Sequence, residues 1–331
     1  AGTETTIGQT TYDLQSNSCV QKRIVNNGNG TLSAIWTYSE SYDIAAADRG
    51  TGYNYFDGTN WGSIPTARIE ADKTGWPSLG TSTSGDEVFV SHNIGQSNLT
   101  MGKRTIGAGT WALSDASTSD MVWNRMTVGG ANGQTIHHIS LYDPFGGPHS
   151  SGVQSQLLYS RSIDGGTTWD INETVIPGMD QTRFTFMSGD SYTMAVARGD
   201  VIAFVYFGSM QPTVLAKSTD NGTNWTTTEI GSFPISMYDP DGTITTNGDT
   251  VQGSDGTGYV LIDDQNMVHV TYGNMFYVDD TPSDGQWSYF PGTNGLMYWN
   301  ESYGSEEPAF IAGAPDMDND GTLNSITDIA Y

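Results

Sequence analysis

Apolar and polar residues alternate through most of this chain with the period of two that places successive side chains on opposite faces of a β-strand. Val20-Gln-Lys-Arg-Ile-Val25 reads this way, Asn26-Asn-Gly-Asn-Gly30 turns, and Thr31 to Tyr38 alternates again before Tyr53-Asn-Tyr-Phe56. The pattern returns in Trp123-Asn-Arg-Met-Thr-Val128, a Gly-rich turn, Thr135 to Leu141 and Leu157 to Ser160. It returns once more from Tyr192 to Val196 through Val201-Ile-Ala-Phe-Val-Tyr206 and Val214-Leu-Ala216. Less regular copies contain Glu87-Val-Phe-Val90 and Met267 to Tyr272, and no long helical period interrupts them.

Five tryptophans punctuate these runs. Trp61, Trp111, Trp169, Trp225 and Trp287 lie 50, 58, 56 and 62 residues apart, each closing a short Gly- or Asp-bearing turn. A repeat near 55 residues, with several short strands per unit, is long for a solenoid and fits the blades of a β-propeller. The sequence therefore predicts an all-β fold, a single β-propeller domain over 1–331 with about six four-stranded blades. The last blade, from about 305 with a strand at Ala309-Phe-Ile-Ala312, is expected to be incomplete. Either the segment before Val20 completes it or further domains of a longer native chain follow.

Composition narrows the partners. Twelve Lys+Arg against 37 Asp+Glu, net −25, make the surface anionic, which disfavours nucleic acid and acidic membranes. No apolar run approaches the ~18–20 residues of a membrane span, so membrane insertion is not expected. Cys19 is the only cysteine, so no internal disulfide forms. The Tyr-, Trp- and Gly-rich, Lys-poor composition points to a secreted or cell-surface protein.

Two of the turns are chemically specific. In Ser162-Ile-Asp164-Gly-Gly166-Thr-Thr-Trp169 and Ser218-Thr-Asp220-Asn-Gly222-Thr-Asn-Trp225, the Asp accepts turn hydrogen bonds, the Gly supplies positive φ and the Trp packs under its own sheet. The first matches in full, and the second with Asn224 in place of Thr, the Asp-box (BNR) motif that this chain shares in resemblance with the sialidase-like propellers. Arg23-Ile-Val25 stands where sialidases carry Arg-Ile-Pro, without the proline, followed by Gly30 to Trp36 and an acidic loop.

That resemblance implies a ligand site at the propeller mouth. Arg23 resembles the first of three arginines that grip the sialic acid carboxylate, with Arg68, Arg125 and Arg183 as candidates for the others. Asp48, or Asp43, resembles the acid/base aspartate, Glu70 is a candidate partner for a tyrosine nucleophile, and no tyrosine is assigned. Guanidinium forks suit a carboxylate, and sialidases use a tyrosine in place of the usual carboxylate pair. Trp76, Tyr192 and Tyr259, with Arg23 and Arg125, would give a mouth suited to a sugar.

Asp316-Met-Asp318-Asn-Asp320-Gly321 has the spacing of a calcium turn, with Asn324 as a further ligand; Thr327 in the twelfth position argues against an EF-hand. Adjacent His137 and His138 on a strand point to opposite faces and do not chelate one ion. The expected function is recognition of an extracellular glycan on a sialidase-like propeller. An active exo-sialidase with an arginine clamp and a non-catalytic adhesion or protein-interaction module are the alternatives.

Overall fold

The computed structural model describes residues 4–313, with side chains excluded at 291–294. The described chain is all-β, and a single 3-10 turn, Glu301–Tyr303, is its one helical element. Its strands form five antiparallel sheets, each a meander in which consecutive strands pair.

The first sheet has three strands, β1 (Ile24–Asn26), β2 (Leu32–Tyr38) and β3 (Gly50–Phe56). The second has β4 (Thr74–Thr81), β5 (Asp86–Asn93), β6 (Asn98–Thr105) and β7 (Ala112–Asp115). The third has β8 (Met121–Gly129), β9 (Thr135–Tyr142), β10 (Leu157–Ser162) and β11 (Ile171–Thr174). The fourth has β12 (Tyr192–Met194), β13 (Ile202–Phe207), β14 (Thr213–Ser218) and β15 (Thr226–Gly231). The fifth has β16 (Val251–Ile262), β17 (Val268–Val278), β18 (Ser288–Asn300) and β19 (Ala309–Gly313).

The sheets pack face to face in chain order, because alternation leaves each with an apolar face toward its neighbour. Ile35, Leu79 and Phe89 fill the first interface, and Val88, Met101, Met126 and Ile136 the second. Ile139, Tyr159, Phe204 and Val214 fill the third, and Val205, Leu215, Val260 and Trp299 the fourth. The first strands of successive sheets lie beside one another. Since every first strand runs the same way through its meander, the fold has two distinct ends. The upper end holds the starts of the first strands, and the lower end holds the turns that follow the third strands of sheets one to four.

Two expectations change. Ala309–Gly313 does not begin a sixth unit: it pairs with β18, Tyr298 opposite Ala309, as the outer strand of the fifth sheet. Trp287 is 44% exposed in the connection before β18, and the buried indole of the fifth sheet is Trp299, at 2%. The turn that resembles the others in sequence therefore precedes a third strand here instead of following one. Trp111 and Trp225 meet the expectation, each packed edge-on against its own sheet and the preceding one, Trp111 on Phe89 and Tyr53, Trp225 on Phe204 and Tyr159.

Candidate functional site

A left-handed residue recurs along the first strands: Ser18 (φ 49) ahead of β1, Trp76 (φ 49) and Trp123 (φ 50) near the starts of β4 and β8, Asp190 (φ 61) just before β12, and Gly256 (φ 81) midway along β16. In β4, β8 and β16 it coincides with a bulge in the pairing to the next strand. A bulky residue in this region costs on the order of 1–3 kcal/mol and persists where the surroundings over-determine it. They do so here. The Trp76 amide donates to the Thr37 hydroxyl at 3.0 Å and its indole N–H to the Leu14 carbonyl at 3.1 Å. The Tyr192 hydroxyl donates to the Trp123 carbonyl at 2.6 Å.

Arg125 and Asp190 meet at the centre of the upper end. The Arg125 side chain is 2% exposed, bonds Asp190 at 2.8 Å and the Cys19 carbonyl at 2.8 Å, and lies over the Tyr192 ring. Burial raises the Asp190 carboxyl, with Arg125 opposing the rise. Arg125 thus has its counter-charge within the protein. Beside it, Lys22, Arg23, Thr193 and Tyr259 line a cavity of about 220 Å³. Burial pushes Lys22 down to about 8.

Two other guanidiniums, Arg23 and Arg49, combine buried unpartnered nitrogens with the lack of a carboxylate within ion-pair distance among the described residues. Arg23 donates to the Gln15 carbonyl and the Gln21 side chain, and its Nε and Nη1 are buried without a partner. Arg49 is 5% exposed, donates to the Thr74 carbonyl at 2.9 Å and the Tyr12 hydroxyl at 3.2 Å, and leaves Nη2 buried without a partner. Its guanidinium carbon lies 4.2 Å from the Trp76 ring centroid and 5.0 Å from that of Tyr12. Burial lowers both arginines from their ordinary value, yet a guanidinium stays charged.

Around Arg49 the aromatics continue. His92 stacks on Trp76 at 5.7 Å, meets Trp123 edge-on at 6.3 Å, and Trp123 meets the exposed Phe145 at 6.3 Å. Burial, then Arg49, push His92 down to about 3, so it is neutral at physiological pH, and its Nδ1 is also buried without a partner. Nearby, burial and Asp143 raise Asp120, whose carbonyl accepts from the Asp143 amide. This arrangement leaves a guanidinium N–H of Arg49 and a ring nitrogen of His92 with unused hydrogen-bonding capacity close to the aromatic carbon of Trp123 and Phe145.

The residues read from the sequence fall into three groups. Arg23, Arg125, Trp76, Tyr192 and Tyr259 gather at the first strands, with Tyr192 fully buried and Tyr259 56% exposed. Asp48 and Arg68 flank the site by holding the loop that carries Arg49. Asp48 accepts from the Ser39 hydroxyl and the Glu40 and Ser41 amides; burial opposes, but these donors hold it below the usual carboxylate range. Arg68 donates to the carbonyls of Ala47, Arg49 and Ala71. Arg183 lies apart, donating to the Gly178 carbonyl and 3.6 Å from Glu229.

Glu70 accepts from Thr51 and Ser91, not from a tyrosine. A Tyr–Glu pair does exist, Tyr53 to Glu87 at 2.8 Å, but Glu87 begins β5 at the lower end, paired there with Arg104. Asp316, Asp318, Asp320 and Asn324 lie outside the described residues, among which no group of three His, Cys, Asp or Glu is placed to hold a metal. Arg49, His92 and Tyr12 carry no local motif that marks them as partners in the sequence. Arg49 sits on a loop, and its tyrosine lies 37 residues away.

These features define an all-β protein of five successive antiparallel sheets whose upper end carries unpaired buried cations among aromatic rings. No protein-family model matches the chain, and no curated protein matches it in sequence. Among solved structures it is similar to a polysaccharide lyase, an ulvan lyase bound to a glucuronic acid and sulfated rhamnose saccharide. The likeness has a TM-score of 0.52 and 10% identity, covering 89% of this chain and 72% of that one. It is also similar to a Hadza microbial sialidase (TM-score 0.47, 11% identity, 84% of this chain, 63% of that one). A third is the NanB sialidase of Streptococcus pneumoniae (TM-score 0.45, 10% identity, 92% of this chain, 63% of that one). At such identity the likeness to the lyase shows a shared sheet-rich fold and nothing of the chemistry. Among the described residues no helix is long and apolar enough to cross a membrane.

Proposed function

We propose that the chain is a secreted, sialidase-like β-propeller that recognises acidic extracellular glycans at its upper end. The propeller reading is supported by sheets that follow one another in chain order with their first strands side by side. The observation that carries the recognition is Arg49, a buried guanidinium without a carboxylate partner in a chain with 37 acidic residues. An uncompensated buried charge is costly, and where many counter-ions are on hand its persistence points to a partner supplied from outside. The polysaccharide lyase named above is bound to a saccharide containing a uronic acid, which is in keeping with that partner.

Arg49, His92 and the ring of Trp123 form the recognition surface, Arg23 adds a second cation from the central cavity, and Asp48 and Arg68 position the Arg49 loop. Binding of sialyllactose and of glucuronate oligosaccharides, each against its carboxyl-reduced form, tests this. Reduction should weaken binding to the wild type by about tenfold or more and scarcely alter binding to Arg49→Met. Equal binding of acidic and reduced forms by the wild type would overturn the reading. Turnover of a fluorogenic sialoside that is lost in Arg23→Ala would support the exo-sialidase alternative. Asp316, Asp318, Asp320 and Asn324 are proposed as a stabilising calcium turn, for which a melting temperature lowered by chelator is the expected result.

A further inference from the structure

We infer a second saccharide-binding site at the lower end, in the cleft between the first and second sheets. It is independent of the upper-end reading. Elsewhere a cation near the end of a third strand crosses to a turn carbonyl of the following sheet. Lys103 reaches Gly165, Arg161 reaches Asn221 and Lys217 reaches Asn266. The turns press close as well: a Cβ at Gly166 would meet Met101, and one at Gly222 would meet Tyr159.

Between the first two sheets the turn presses close too, a Cβ at Gly107 meeting the Tyr55 ring, but no cation of the first sheet crosses to a carbonyl of the second. The third strand of the first sheet ends in Tyr53-Asn54-Tyr55-Phe56, with no Lys or Arg, and the facing turn is the slim Gly107-Ala108-Gly109. The space left is a cleft of about 330 Å³, within the range that small ligands occupy. Tyr55 and Trp61 line it from the first sheet, Arg104 and Gly107 from the second, with Asp57 and Asn60 at the turn.

Its walls are fixed in advance. Arg104 is pinned by Glu87 at 2.7 Å, and its guanidinium carbon lies 4.2 Å from the Tyr53 centroid and 4.3 Å from that of Trp111. Glu87, fully buried, also accepts from Tyr53 and Ser33. Trp61 leans on Phe56 at 5.6 Å and remains half-buried. Rigid, half-exposed aromatic carbon beside a guanidinium, a carboxylate and an amide is the combination that binds a pyranose: rings for its C–H face, polar groups for its hydroxyls. The ligand class is a neutral sugar unit, since Arg104 already has its carboxylate and Asp57 would repel another.

The test is saturation-transfer NMR on the full chain with methyl glycosides of galactose, glucose, rhamnose and N-acetylglucosamine. At least one should bind the wild type and Arg49→Met alike, weaken about tenfold with Trp61→Ala and recover in part with Trp61→Phe. Asn60→Ala, an exposed change that leaves the aromatic packing in place, should also weaken it. If no glycoside binds the wild type, or if binding survives both Trp61→Ala and Asn60→Ala, the site does not exist. If binding is instead lost in Arg49→Met, the sugar is held at the upper end and the inference fails.

Discussion

Arg49 and Arg125 are both buried arginines of the upper end, yet their substitution should have opposite consequences. Arg125 neutralises Asp190, so Arg125→Met leaves a buried carboxylate without its ion-pair partner and should cost about 3–5 kcal/mol in denaturant unfolding. Arg49 neutralises no carboxylate, so Arg49→Met removes an unpaired charge and keeps an apolar stem between Tyr12 and Trp76. Its melting temperature should stay level or rise while binding of acidic glycans falls about tenfold. Destabilisation of Arg49→Met equal to that of Arg125→Met would show that Arg49 is structural. The sequence pointed to Asp48 and Arg68 on either side of this residue, since motif likeness ranks residues by type and order. Which arginine lacks a counter-ion depends on Tyr12, Thr74 and Trp76, all distant in sequence, and no local pattern encodes that.

The turns of the lower end show the opposite balance. Ser162 bonds Asp164 and Ser218 bonds Asp220, both at 2.8 Å, and each Asp accepts further from the turn that follows it. These contacts are local, which is why the spacing alone revealed them. The Thr168 amide chiefly, with the Thr168 and Ser162 hydroxyls, lowers Asp164 to about 2; the Asn224 amide and side chain do the same for Asp220. A carboxyl lowered by folding stabilises above its unfolded value and loses that contribution as pH falls through its folded value. Acid unfolding should therefore draw on these turns between pH 3.8 and about 2. Asp164→Asn with Asp220→Asn should flatten the fall of melting temperature across that window; an unchanged slope would contradict it. Gly222, at φ +79 with the Tyr159 hydroxyl where a Cβ would stand, should not tolerate alanine, and Gly222→Ala should lower the melting temperature by several degrees. Trp287 shows the limit of reading turns, because the resemblance of Asp284-Gly-Gln-Trp287 to the others says nothing about which strands it joins.

For the whole molecule, a net charge of −25 surrounds the site proposed to take an anionic glycan. Long-range repulsion and short-range attraction then respond oppositely to salt, since screening acts beyond a Debye length of about 10 Å at 0.1 M. Association of an acidic oligosaccharide should accelerate as salt rises from about 20 to 150 mM, measured by stopped-flow. A rate that falls instead would mean that the cations of the upper end dominate the field. The order of the sheets was legible because each repeats one strand plan, whereas the role of the segment before β1 was not. The described residues of that segment form no strand, yet Gln15 bonds both backbone groups of Thr37, Leu14 accepts from Trp76 and Tyr12 covers Arg49. Cleavage after Ser16 would take Tyr12 off Arg49 and the Leu14 carbonyl off Trp76 while sparing the four interior cores, so it should change ligand binding before it changes unfolding.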